Sequence, residues 1–171
     1  CGDTNGIGLE DVLKTLAQPE VREMAQFYLF CSAQVLAYHR NTMEVGEIPY
    51  VTAAPGDNLP KGKIGLVDPW NREVKVEFGQ LDEEGGQAAL DSLSAACAAI
   101  EAGHLDGLVT APLSKANIPS PPEAPFTGHT GYLAKRFNAK PLMVMAAENM
   151  RVALVTEHIA LQQVAGRVTP A

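Results

Sequence analysis

Apolar residues recur along the chain at two spacings. Short strand-like runs alternate with stretches that carry a helical period. That alternation predicts an α/β domain with a mostly parallel sheet flanked by helices. The longest helical stretch is Asp82–Ala102, where Leu90, Leu93, Cys97 and Ile100 share one face. Asp82, Glu83 and Glu84 favour the positive end of its dipole, and Gly103 is placed to end it in a left-handed conformation. Gly85 and Gly86 each weaken the first turn by about 1 kcal/mol relative to alanine. Either the turn frays, or something approaches its backbone closely.

Strands are expected at Gln26–Cys31, at Gly107–Thr110, and at Leu142–Ala147 and Arg151–Thr156, the last two joined by a tight turn at Glu148–Met150. Ser32 is a plausible cap for a helix over Ala33–Arg40. Further helices are expected at Leu9–Leu16 and Gly131–Phe137, and Leu161–Val164 begins another helical pattern. Glu44–Asn71 is rich in glycine and proline and reads as irregular, with one or two minor strands, one of them at Lys63–Val67. The glycine-rich loop Gly2–Gly8 is of a kind that normally follows a strand, yet only Cys1 precedes it. Together with the abrupt end at Thr169–Ala171, this reads as part of a longer protein, with residues 1–171 forming a single α/β region.

Composition changes this picture little. Of 171 residues, 46% are apolar and 19% charged, as in ordinary soluble domains. The formal net charge of −7 and the scattered basic residues argue against nucleic acid. No apolar run is long enough to span a bilayer. Cys1, Cys31 and Cys97 are too few and too widely spaced for a disulfide framework or a paired-cysteine zinc site, and suit a reducing cytoplasm.

Four segments offer chemistry. In Gly2–Gly8, glycines let backbone N–H groups approach an anion at a helix start; Asp3 would either bind a polar substrate group or cap the helix. Thr110–Lys115 lies beyond the carboxyl end of a strand, where α/β sheets bind ligands. There Lys115 would meet a phosphate or carboxylate, or else remain solvated. In Phe126–Thr130, His129 and Thr130 would converge on an anion, or Thr130 would simply cap a helix. His158, just past a strand, would be one metal ligand, or structural; a metal site needs at least three. His39 and His104, at helix ends, are assigned no chemistry.

The order GDTNGIG, VTAPLSK, FTGHTGYL and RVALVTEHIAL resembles the 4-hydroxythreonine-4-phosphate dehydrogenase family. The resemblance covers nearly all of the chain and the first half of that family's usual length. It implies a fold of the isocitrate/isopropylmalate dehydrogenase type, a longer two-domain enzyme, and a homodimer with its active site near the interface. It implies NAD- or NADP-dependent oxidation of 4-phosphohydroxy-L-threonine, then decarboxylation to 3-amino-2-oxopropyl phosphate, in vitamin B6 synthesis. His129 and Thr130 match the family's substrate-binding pair, and His158 matches the first of three histidines holding a divalent metal. Zinc, magnesium, manganese and cobalt all remain open as that metal. Asp3 and Lys115 match motif positions, as further substrate-binding candidates. Two departures stand out: Thr4-Asn5 replaces the family's Pro-Ala, and Gly131 replaces an acidic residue. They leave open oxidation of a related four-carbon sugar-acid phosphate. A phosphate acyltransferase and a non-enzymatic phosphate-binding module are the competing classes. The remaining metal ligands and the cofactor site are expected beyond Ala171, and the chain by itself is expected to be inactive.

Overall fold

The computed structural model describes residues 1–169; Pro170 and Ala171, where the sequence pattern breaks off, lie outside the described residues. The chain divides into two compact units, residues 1–129 and 130–171.

The first unit holds a three-stranded parallel sheet in the order β1 (Tyr28–Phe30), β3 (Ile64–Val67), β2 (Tyr50–Thr52). Helices α1 (Gly8–Leu16), α2 (Pro19–Arg22), α3 (Ala33–Thr42) and α4 (Glu83–Glu101) accompany it. Side chains on adjacent strand residues point to opposite faces. Leu29 accordingly joins a core with Leu9, Leu13, Val35 and Ile64, while Phe30 packs with Ala96 and Ala99. Ser32 caps α3 as expected, accepting from the Val35 N–H at 3.2 Å. Asp82 caps α4, accepting from Gly85 N–H at 2.6 Å, and Gly103 takes φ +73° just past its end.

The buried face of α4 is made of smaller residues than its leucine spacing suggested. Leu93 and Cys97 are buried, but so are Gly85, Gly86, Ala89, Ser92 and Ala96, whereas Leu90 and Ile100 are only half-buried. The reason is close backbone approach: a β-carbon on Gly86 would lie 1.8 Å from the Asn117 carbonyl oxygen. The glycine pair is a contact surface.

One expected strand is not formed. Gly107–Thr110 runs without ladder partners, and Val109 is 92% exposed. Strand geometry needs a neighbour to bond to, and β1, with only β3 paired to it, has not recruited this segment. The short helix α2 was not anticipated, and β2 falls in the stretch read as irregular with minor strands.

The second unit carries most of α5 (His129–Arg136), the antiparallel pair β4 (Val144–Ala147) and β5 (Met150–Ala153), and α6 (Leu161–Val164). Ala147 pairs with Met150, so the turn is two residues long, with Glu148 at φ +44°.

Candidate active site

The loop Gly2–Gly8 is tied inward. Asp3 is 8% exposed; its Oδ1 accepts from Asn5 N–H at 2.9 Å and its Oδ2 from the Asn117 side-chain amide at 3.1 Å. Asp3 therefore shapes the loop; α1 begins without a side-chain cap. Asn5 is equally engaged. Its amide donates to Asp82 Oδ2 at 2.7 Å and to the Gln80 carbonyl at 3.3 Å, and its Oδ1 accepts from Glu77 N–H at 2.8 Å. Sequence reasoning gave His39 no chemistry, and its place is structural. It is fully buried and donates from Nε2 to the Thr4 carbonyl at 2.8 Å. Burial lowers its pKa, opposed by that hydrogen bond and by Glu10.

Lys115 and the Phe126–His129 loop are brought together. Gly128 has φ +100°, a conformation that glycine adopts without a side-chain penalty. A β-carbon there would lie 2.9 Å from Lys115 Cε and 3.4 Å from its Nζ. No ion pair among the described residues engages Lys115, so its charge is available to an anion. Next in sequence, His129 opens α5 and lines a small cavity with Thr110, Ala111, Leu113 and Ser92. Burial is the main cause that lowers the His129 pKa, favouring the neutral ring. A neutral imidazole donates one N–H and accepts at the other nitrogen. The helix starts two residues before the expected Gly131, so the exposed Thr130 sits in its first turn. Gly128 is the participant that sequence reasoning gave no role. Its signal was a glycine directly before a helix start.

His158 lies in the second unit, exposed, at φ +53°, an uncommon conformation for a residue other than glycine. Beside it, Glu157 Oε2 is buried without a hydrogen-bond partner. Among the described residues no three His, Cys, Asp or Glu side chains gather as a metal site, so His158 supplies at most one ligand of a set.

The family model described as pyridoxal phosphate biosynthetic protein PdxA matches residues 6–171. The chain belongs to the PdxA family. Two curated relatives are each named 4-hydroxythreonine-4-phosphate dehydrogenase. The one from Bacteroides thetaiotaomicron is 36% identical over 170 residues, covering 98% of this chain and 46% of the relative. The one from Citrobacter koseri is 34% identical over 174 residues, covering 99% of this chain and 51% of the relative. A crystal structure of a 4-hydroxythreonine-4-phosphate dehydrogenase from Burkholderia phymatum superposes with a TM-score of 0.83 at 26% identity, covering 99% of this chain and 52% of its own. One from Klebsiella pneumoniae, at 23% identity and a TM-score of 0.78, shares the fold. The chain spans about half the length of these PdxA relatives. The resemblance of the four motifs is thereby confirmed at the level of family, and the α/β architecture with a small parallel sheet agrees with it.

Proposed function

We propose that this chain supplies the substrate-phosphate site of an NAD- or NADP-dependent 4-hydroxythreonine-4-phosphate dehydrogenase. The observation that carries the reading is the packing of the Lys115 side chain against Gly128, directly before His129. An ammonium, an imidazole and a helix start then stand on neighbouring segments, a set suited to a phosphate ester. The names of the curated relatives support the reaction. On this reading the C3 hydroxyl of 4-phosphohydroxy-L-threonine is oxidised with NAD or NADP as acceptor. The β-keto acid then loses CO₂, giving 3-amino-2-oxopropyl phosphate.

In this scheme Lys115 neutralises the phosphate and His129 donates to a substrate oxygen, with Thr130 adding a hydroxyl in the first turn of α5. Gly128 lets the loop fold against Lys115, and Asp3 holds the preceding loop in shape. His158 contributes one imidazole to a divalent metal (zinc, magnesium, manganese or cobalt), with the remaining ligands and the nicotinamide site in the rest of the enzyme. A bound metal would act as a Lewis acid on the substrate hydroxyl. The fold of the isocitrate/isopropylmalate dehydrogenase type, the homodimer with its active site near the interface, and the cytoplasmic location belong to the same proposal. Gly131, standing where the family carries an acid, favours one second reading: a related four-carbon sugar-acid phosphate as substrate.

The test uses the full-length enzyme. NAD(P) reduction is measured with 4-phosphohydroxy-L-threonine and with four-carbon sugar-acid phosphates, with and without chelator. Lys115→Ala is expected to weaken binding of the phosphorylated substrate about 10- to 100-fold, the loss of a charge-assisted hydrogen bond. Turnover insensitive to chelator, or unchanged substrate affinity in Lys115→Ala, would refute the assignment.

A further inference from the structure

Residues 112–117 carry Lys115 and leave the protein interior only briefly. Ala111 before them is buried, Lys115 and Ala116 are exposed, and Asn117 and Ile118 are buried again. Both ends of this stretch are tied to one residue. Asp3 N–H donates to the Pro112 carbonyl at 3.1 Å, and Asp3 Oδ2 accepts from the Asn117 side-chain amide at 3.1 Å. The rest of Asp3 is engaged by its own loop. Its Oδ1 accepts from Asn5 N–H at 2.9 Å, and its carbonyl accepts from Gly6 N–H at 3.1 Å. Asp3 is therefore a fixed post, and Asn117 is the side chain that reaches it.

Helix α4 holds the same pair from another side. Gly86 has the Asn117 carbonyl pressed against it, and a β-carbon on Gly85 would lie 3.0 Å from Asp3 Oδ1. The glycine pair thus admits both the Asn117 backbone and the Asp3 carboxylate. A hydrogen bond to a carboxylate is stronger than one between neutral groups, and both partners here are more than nine-tenths buried. Lys115, two residues before Asn117, packs its Cε against Gly128. Its ammonium is presented by a loop whose two ends are pinned.

We propose that Asn117 is a positioning residue: through Asp3 it holds residues 112–117 in the conformation that presents Lys115 to the substrate phosphate. The inference rests on Lys115 being the phosphate ligand. Asn117 acts through Lys115 and touches no substrate itself. A loop already ordered before binding spares the complex the cost of ordering it, so the Asp3–Asn117 bond acts on substrate affinity rather than on the chemical step.

A double-mutant cycle in the full-length enzyme tests this. Asn117→Asp sets two carboxylates face to face, and Asn117→Ala removes the donor without adding charge. Each is expected to raise KM for 4-phosphohydroxy-L-threonine about tenfold, with kcat changed less than about twofold. In a Lys115→Ala background neither should add a further loss. The reciprocal pair Asp3→Asn with Asn117→Asp restores an amide–carboxylate bond with donor and acceptor exchanged. It is expected to bring KM back to within about threefold of the unsubstituted enzyme. Losses that add to that of Lys115→Ala, an unchanged KM in both Asn117 variants, or no recovery in the reciprocal pair each overturn the positioning role, and a raised KM in Lys115→Ala would then leave the phosphate reading standing. An unchanged KM in Lys115→Ala refutes the phosphate reading, and the positioning role with it.

Discussion

Thr4 and Asn5 stand where the family pattern has Pro-Ala, and both face inward. Thr4 is fully buried, and its carbonyl accepts from His39; Asn5 holds three backbone or side-chain groups of Glu77–Asp82. A Pro-Ala pair has no side chain able to do what Asn5 does. Asn5→Ala is expected to cost about 1–3 kcal/mol, because it strands the Glu77 N–H; urea unfolding of the two proteins measures it. His39 gives a second, pH-dependent prediction. Its folded pKa is depressed by burial, with Nδ1 lacking a partner and the ring edge-on to Phe78 at 4.9 Å. The unfolded chain therefore binds the proton more readily. This contribution to stability is complete above the unfolded pKa near 6.5 and is lost as pH falls from there towards the folded value. His39→Gln should flatten the pH dependence of stability between about pH 7.5 and 5.5. An equal slope in both proteins would remove His39 from the account.

At the scale of elements, α4 separates two kinds of glycine. Gly86 has helical backbone and the Asn117 carbonyl pressed against it, whereas Gly103 has φ +73° and open space within 4 Å of where a β-carbon would stand. Gly86→Ala should cost about 3 kcal/mol or more, since backbone must move. Gly103→Ala should cost about 1–2 kcal/mol, the left-handed penalty alone. Thermal unfolding of both variants checks the order. The local signals of α4, its acidic start and its terminal glycine, are readable because they depend on neighbours within a few residues, whereas the capping role of Asp82 emerges only in the structure. Its buried face differs from the one its leucine spacing predicts because close backbone approach selects small residues, which large apolar spacing does not mark. Gly107–Thr110 failed as a strand for a related reason: composition reports a preference for extended backbone, while the ladder depends on what lies alongside. The same limit applies to the site. His129 and Lys115 were legible as types, but their meeting through Gly128 depends on a loop conformation.

The two units differ in how far they satisfy their own strands. In residues 1–129, Leu29, Phe30, Ile64 and Leu66 are buried. In residues 130–171, every residue of β4 and β5 is exposed, with Met145 at 60% and Met150 at 63%. A two-stranded hairpin is marginal by itself in water, so Val144–Ala153 should exchange its amides far faster than Tyr28–Phe30 in this chain. His158 follows that hairpin, and a histidine proposed as a metal ligand is useful only if its backbone is held. Metal affinity requires three or more donors in fixed geometry, and the described residues offer His158 alone beside the unpartnered Glu157. On the proposed reading, in which the remaining metal ligands and the nicotinamide site belong to the rest of the enzyme, residues 1–171 alone are expected to show no NAD- or NADP-dependent oxidation of 4-phosphohydroxy-L-threonine at any metal concentration, and to bind phosphate ligands through Lys115 and His129. Spectrophotometric detection of nicotinamide reduction by this chain alone would contradict that division of labour. Loss of phosphate binding in Lys115→Ala, read by calorimetry on the same chain, would support it.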